Sequence, residues 1–202
     1  MLRVGRILHG TTAEGPGRRT AVWVQGCSIR CPDCINPHLF TTRGGYDASC
    51  AEIVTGAAVA HCEGITLLGG EPFDQPSGCA DLAAAAQDAG LGVIVFTGYV
   101  HEDLARRGEQ ERRLLAHIDC LVDGPYQAAN PETRRALVGS TNQRFLHLTD
   151  RYRDYDPALA KNTVDVRINP DGTIEVAGFL EHSQLDALST PLGKRPRQHR
   201  RL

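Results

Sequence analysis

The chain has 202 residues, of which 41% are hydrophobic and 23% charged, and its formal net charge is -2. These values are ordinary for a globular domain, and they give no indication of binding to nucleic acid or to an anionic membrane. No apolar run approaches the length that crosses a bilayer, and Arg3, Arg6 and His9 interrupt the first ten residues, which is unlike a secretory signal. We therefore expect a cytoplasmic protein in which the seven cysteines stay reduced.

The first third of the chain contains two predicted strands, an irregular cysteine-rich segment and one predicted helix. The strands are residues 2–8 and the segment TAVWVQG, with a glycine-rich loop between them. Pro32 and Pro37 exclude a regular helix from the segment CSIRCPDCINPHLF that follows. Residues 47–61 have helical periodicity, and Asp47 is the expected N-cap.

Buried strands and helices then alternate along the chain. The predicted strands are GITLLGG, LGVIVFTG and IDCLVDG, and the predicted helices are residues 77–89 and 101–117. This alternation is typical of an α/β fold, in which a parallel sheet binds its ligands at the carboxyl ends of the strands. These strand ends carry the sequences GGEP, FTGY and DGPY, with glycines that allow tight turns. Any one of them could be an ordinary turn, but three in succession favour a ligand-binding face.

The pattern changes after residue 140. QRFLHL could form one more strand, and TVDVRINPDGTIEVAG predicts a β-hairpin around an Asn-Pro-Asp-Gly turn. Two strands with no helix between them indicate an extension rather than another βα unit. The last segment, GKRPRQHRRL, is basic, and we expect it to be disordered. The expected organisation is a core at 1–150, a hairpin extension at 151–181 and a basic tail at 182–202.

Three cysteines are the strongest chemical signal in the sequence. Cys27, Cys31 and Cys34 form the pattern C-x3-C-x2-C, and Gly26 and Pro32 help this segment to fold around a metal centre. Three thiolates can hold three irons of a [4Fe–4S] cluster and leave the fourth iron open to a ligand. The alternative is a zinc site in which His38 completes four ligands. The spacing favours iron and sulfur over zinc, and a strand end with a carboxylate, Glu71, could bind an ammonium group.

Five segments together resemble a known family. VWVQGCSIRCPDCINP, LLGGEP, VFTGY, DCLVDGPY and GSTNQR are similar, in this order, to motifs of the activating proteins of anaerobic (class III) ribonucleoside-triphosphate reductases, which are glycyl-radical enzyme activases of the radical S-adenosylmethionine (SAM) superfamily. The resemblance implies a partial (βα) barrel, here followed by the C-terminal β-hairpin and the basic tail. It also implies that the three cysteines bind one [4Fe–4S] cluster. The residues that it implies as contacts of SAM are Asp33, Ile35, Gly69, Gly70, Glu71 and Asp123.

The resemblance also implies a reaction and its partners. Reductive cleavage of SAM would give a 5′-deoxyadenosyl radical, which in this family abstracts hydrogen from a glycine of a partner enzyme such as an anaerobic ribonucleotide reductase. The electron donor would be flavodoxin- or ferredoxin-like, and the cofactors carry the chemistry, so we name no acid or base. Asp33 stands where the superfamily often has an aromatic residue, and the shortest activases lack the hairpin and tail. The alternatives are a radical SAM enzyme acting on a peptide or small molecule, and a zinc-stabilised binding module.

Overall fold

The computed structural model describes residues 1–179. The strands and α-helices follow one another in this order: β1 (Leu2–Thr11), β2 (Arg19–Val24), β3 (Tyr46–Ala48), α1 (Cys50–Val59), β4 (Gly64–Gly69), α2 (Pro76–Asp88), β5 (Gly92–Phe96), α3 (His101–Ala105), α4 (Glu109–Leu115), β6 (Cys120–Asp123), β7 (Arg144–His147), β8 (Val164–Ile168) and β9 (Ile174–Gly178). Short 3-10 helices lie at Pro37–Leu39, Pro72–Asp74 and Asp150–Tyr152. Within this described part of the chain, no helix is long and apolar enough to span a membrane.

The central sheet has seven strands in the order β3-β1-β2-β4-β5-β6-β7. Strands β2, β4, β5 and β6 are parallel neighbours at its centre. The outer strands β1, β3 and β7 pair antiparallel to their neighbours. The prediction of an α/β fold with a parallel central sheet is confirmed, because each parallel connection contains a helix as such crossovers require.

The two faces of the sheet bury different partners, because successive side chains of a strand point to opposite faces. On one face, the four α-helices cover a large apolar core to which the central strands contribute Val22, Val24, Ile65, Leu67, Val93, Val95 and Leu121. On the other face, a smaller cluster contains Leu8, Ala21, Trp23, Leu39, Leu68 and Ala177. We call this second face the inner face. Since Ala177 belongs to β9, the C-terminal hairpin packs on the inner face.

Strands β8 and β9 form a separate antiparallel sheet that polar contacts hold to the core. Arg6 Nη1 donates to the carbonyl oxygen of Val176 at 2.7 Å, and the Gly178 amide donates to Glu14 Oε1 at 2.7 Å. The ring of Phe179 lies 6.0 Å from that of Phe96 at the end of β5. The hairpin therefore lies against the inner face close to the carboxyl ends of the parallel strands. The proposed division of the chain into core, hairpin and tail stays a prediction.

Two expected helix boundaries were wrong, and residues 180–202 lie outside the described part of the chain. Asp47 is not the N-cap of α1: it lies in β3, opposite Arg3 of β1, and Ser49 occupies the N-cap position. The helix expected at 101–117 is two helices, because Gly108 adopts an extended conformation between α3 and α4. The expected basic tail falls among the residues that are not described.

Candidate metal centre

The cysteine segment and the glycine turn meet at one edge of the sheet. Because β2 and β4 are parallel and paired up to Val24 and Gly69, both strands end at the same edge. The amide of Gly70 donates to the carbonyl oxygen of Val24 at 2.9 Å, and the amide of Glu71 donates to that of Gly26 at 2.8 Å. The turn after β4 is therefore hydrogen-bonded to the backbone that leads directly into Cys27.

The three cysteines lie on a tight loop, which we call the cluster loop (residues 27–36). Their thiols are free and partly exposed. Arg30 and Asp33 have φ angles of +53° and +56°, which non-glycine residues adopt at a cost. Burial raises the pKa of the Cys27 thiol, and the negative charges of Glu71 and Asp74 raise it further. A bound metal cation would reverse this effect, because it stabilises the thiolate.

The donor set suits an iron–sulfur cluster, although its atoms are not gathered in this structure. Within residues 1–179, no group of three or more Cys, His, Asp or Glu side chains is arranged as a metal-binding set. His38, the fourth ligand of the zinc alternative, is exposed on the 3-10 helix Pro37–Leu39. Three accessible thiols on one short loop match the ligand requirement of a [4Fe–4S] cluster with one open iron.

Glu71 is fully buried and is held by the protein's own donors. Its Oε1 accepts hydrogen bonds from the Phe73 amide at 2.9 Å and from Thr97 Oγ1 at 2.8 Å, and its Oε2 accepts from the Gly98 amide at 2.9 Å. Burial raises the pKa of Glu71 to about 7, against the opposing effect of these hydrogen bonds. The carboxylate thus joins the turn after β4 to the end of β5. Oε2 keeps one acceptor position, and the expected contact with a methionyl amino group stays a prediction.

Both glycines of the GGEP turn are required by close backbone packing. Gly69 has a φ of +100°, and a Cβ there would lie 2.5 Å from the Cβ of Trp23. A Cβ on Gly70 would lie 2.2 Å from the carbonyl oxygen of Gly26. These distances are far below normal contact distances, so the turn can approach β2 and the cluster loop only with glycine at both positions.

The remaining residues expected to contact SAM differ in their surroundings. Asp123 is buried, accepts from the His101 amide at 2.8 Å and forms an ion pair with Arg144. Its carboxylate therefore belongs to a network that joins β6 to β7 and to α3. Asp33 and Ile35 flank Cys34 and are exposed, so both are accessible to a ligand. The role of each toward SAM stays a prediction.

The structure shows contacts in and near the predicted motifs that the sequence did not predict. Thr97 and Gly98 hold the Glu71 carboxylate, and Ser28 and Tyr99 hydrogen-bond to Asp74. All five residues lie in or beside the motifs at the strand ends. The sequence did show a second acidic residue, Asp74, three positions after Glu71. Its partners Ser28 and Tyr99 are distant from it in the chain, so these contacts could not be inferred.

Comparison with known proteins identifies related sequences. A family model described as a 4Fe-4S single cluster domain matches residues 13–146. The anaerobic ribonucleoside-triphosphate reductase-activating protein of Enterobacteria phage T4 is 27% identical over 159 residues, which cover 75% of this chain and 97% of that protein. The pyruvate formate-lyase-activating enzyme of Clostridium pasteurianum is 28% identical over 147 residues, which cover 68% of this chain and 60% of that protein.

The chain is also similar to a solved structure over part of its length. The crystal structure of QueE from Escherichia coli covers 50% of this chain and 54% of its own, at 16% sequence identity and a TM-score of 0.39. This likeness is too slight to bear on the fold. The sequence matches confirm the resemblance inferred from the motifs, and the matched residues 13–146 include the cluster loop and all three strand-end motifs.

Proposed function

Because the chain belongs to the family of 4Fe-4S single cluster domains, we propose that Cys27, Cys31 and Cys34 bind one [4Fe–4S] cluster that serves the reductive cleavage of SAM. Its curated relatives are activating enzymes, and the chain is an oxidoreductase of this radical type. The observation that carries the proposal is the hydrogen-bonded contact between the turn Gly69–Glu71 and the backbone that enters the cluster loop. This contact supports the proposal because the turn that we propose to bind SAM lies beside three free thiols.

The residues of the protein would hold and orient the cluster and SAM, and these cofactors would supply the chemistry. A cluster held by the three cysteines would supply the electron for cleavage of the sulfonium C–S bond of SAM, which would yield methionine and a 5′-deoxyadenosyl radical. We propose that Asp33 and Ile35 contact SAM through their backbone. We also propose that Gly69 and Gly70 bind the amino group of its methionyl part. Glu71 keeps the turn in place and presents Oε2 to the same group.

We also propose that Asp123 supports the site through Arg144 and α3. The helices on one face of the sheet and the hairpin on the other support a partial (βα) barrel with the site at its mouth. The zinc module is the weaker alternative, because the matching family is an iron–sulfur one and His38 lies exposed.

The proposed target is a glycine of a glycyl-radical enzyme, with an anaerobic ribonucleotide reductase as the first candidate. This rests on the T4 relative, of which 97% is covered, against 60% of the pyruvate formate-lyase-activating enzyme. A flavodoxin- or ferredoxin-like protein would supply the electron in the cytoplasm. A radical enzyme acting on another peptide or a small molecule is a second candidate, favoured by a hairpin that lies beyond the matched residues.

The test is anaerobic reconstitution with iron and sulfide, followed by reductant and SAM, with 5′-deoxyadenosine measured by chromatography. Cys31→Ala should lose the cluster absorbance and the product, whereas Cys50→Ala, outside the loop, should keep both. A loaded cluster that yields no 5′-deoxyadenosine would contradict the proposal. Binding of one zinc ion through Cys27, Cys31, Cys34 and His38 would favour the binding module. A glycyl-radical signal on a purified candidate reductase, seen by electron paramagnetic resonance, would test the target.

A further inference from the structure

Among the described residues, the interior of the cluster loop (28–35) hydrogen-bonds to other segments through Ser28 alone, and the side chain of Ile29 lies close to Gly98. The amide of Ser28 donates to Asp74 Oδ2 at 2.6 Å, and Ser28 Oγ donates to Asp74 Oδ1 at 2.9 Å. Ser28 Oγ also contacts the Tyr99 hydroxyl. Among the described residues, no other hydrogen bond joins residues 28–35 to another segment. Asp74 therefore holds the loop at the position next to Cys27.

A third element completes this contact. The hydroxyl of Tyr99 donates to Asp74 Oδ1 at 3.1 Å and lies 2.9 Å from Ser28 Oγ. Tyr99 follows the end of β5, where its amide donates to Thr97 Oγ1 at 3.1 Å. The guanidinium of Arg107 lies 3.7 Å from the centre of the Tyr99 ring, within the range of a cation–π contact. Asp74 thus joins the cluster loop to the ends of both β4 and β5.

The two acidic residues of the turn after β4 have separate partners. Glu71 is buried and binds donors at the end of β5, whereas Asp74 is exposed and binds the cluster loop. The loop needs such a tie, because Arg30 and Asp33 adopt left-handed conformations that are unfavourable for non-glycine residues. Left to itself, the loop would relax toward other conformations and move Cys27 and Cys31 relative to the turn.

We propose that Asp74 is a positioning residue that fixes the cluster loop against the GGEP turn, with Ser28 and Tyr99 as its partners. The effect of Asp74 on the reaction rests on the proposed function. The cluster on the loop and the SAM molecule on the turn would react only in one relative placement, which Asp74 would maintain. The hydrogen bonds themselves are present without any cofactor, so the tie can be measured separately from the reaction.

The first experiment measures hydrogen exchange of the peptide that spans residues 27–36 in the anaerobic, reduced apoprotein. Asp74→Ala removes all three hydrogen bonds to the carboxylate and should speed exchange about tenfold, the factor expected for a lost hydrogen bond to a charged group. Asp74→Asn keeps one acceptor oxygen and should lie between Asp74→Ala and the wild type. The control is Asp88→Ala, an exposed residue about 20 Å away at the other end of α2.

The second experiment uses the reconstituted protein and measures the rate at which an iron chelator removes the cluster. Asp74→Ala should release iron several-fold faster than the wild type, and Asp74→Ala combined with Ser28→Ala should be no faster, because both changes remove the same tie. Equal loop exchange in Asp74→Ala, Asp88→Ala and the wild type would overturn the inference. Faster loop exchange in Asp74→Ala, together with a cluster-loaded wild-type protein that makes no 5′-deoxyadenosine, would support the tie and contradict the proposed function.

Discussion

Replacing Glu71 by Gln should destabilise the apoprotein itself, before any cofactor is added. The carboxylate accepts from three donors: the buried amide of Phe73, the buried hydroxyl of Thr97 and the partly buried amide of Gly98. A glutamine oxygen can replace Oε1, but its amide nitrogen then faces the Gly98 amide, so two donors meet. One lost hydrogen bond and one unsatisfied, partly buried donor cost about 2–3 kcal/mol together, and the smaller burial cost of a neutral amide, the same effect that raises the pKa of Glu71, offsets part of this.

This cost is a substantial fraction of the free energy of unfolding of an ordinary domain, which is about 5–15 kcal/mol. For a chain of this size, we expect the melting temperature to fall by about 4–10 °C. Thr97→Val removes one of the two donors to Oε1 and also the acceptor of the Tyr99 amide, and should cost about 1–2 kcal/mol. Glu109→Gln changes an exposed glutamate of α4 in the same way and should have no measurable effect.

The assay is urea denaturation of the reduced apoprotein, followed by the fluorescence of Trp23, the one tryptophan of the chain. Trp23 is buried on the inner face and contacts the backbone beside Gly69, so its emission reports on this edge of the sheet. If Glu71→Gln were as stable as Glu109→Gln, the carboxylate would not hold the turn. Loss of SAM binding in such a stable variant would assign Glu71 to the cofactor alone.

Three further changes have defined outcomes. Burial raises the pKa of Glu14 from 4.5 to about 7. Its contribution to stability is therefore full below pH 4.5 and is lost as the pH rises through about 7. In urea titrations across this range, the stability of Glu14→Gln should decline less than that of the wild type. Arg19 is fully buried and donates to Thr66, Tyr152 and backbone carbonyls, so Arg19→Met should lower stability by about 3 kcal/mol in thermal unfolding. Gly70→Ala should cost about 1–3 kcal/mol and reduce 5′-deoxyadenosine formation, because its Cβ would overlap the carbonyl oxygen of Gly26, directly before the cluster loop.

The sheet could be predicted from the sequence because its central strands are buried on both faces and read as continuous apolar runs. The errors came from contacts between distant segments. Asp47 has the properties of an N-cap, but pairing with Arg3 on the edge of the sheet extends the backbone there. Gly108 divides one helical pattern into two helices, and the periodicity on either side of it gave no sign of this break.

The site was predictable as a set of positions along the chain, but not as a set of side-chain directions. The strand-end motifs lie at one edge because the strands are parallel, which the alternation of elements already implied. The direction of Glu71 depends on Thr97 and Gly98, and that of Asp123 depends on Arg144. A motif indicates which residue ends a strand. The hydrogen-bond donors around that residue belong to neighbouring strands, and the sequence does not specify the register of those strands.

The hairpin limits how far the relatives inform the choice of target. The family match ends at residue 146, and the T4 protein matches 75% of this chain. Beyond residue 146, β9 places Ala177 on the inner face with Trp23 and Leu68, and Phe179 packs near Phe96 at a strand end. The hairpin therefore lies beside the strand ends where we propose that the target gives up its hydrogen. We expect residues beyond the family match to take part in the choice of target, while the cluster loop and the GGEP turn lie wholly within that match.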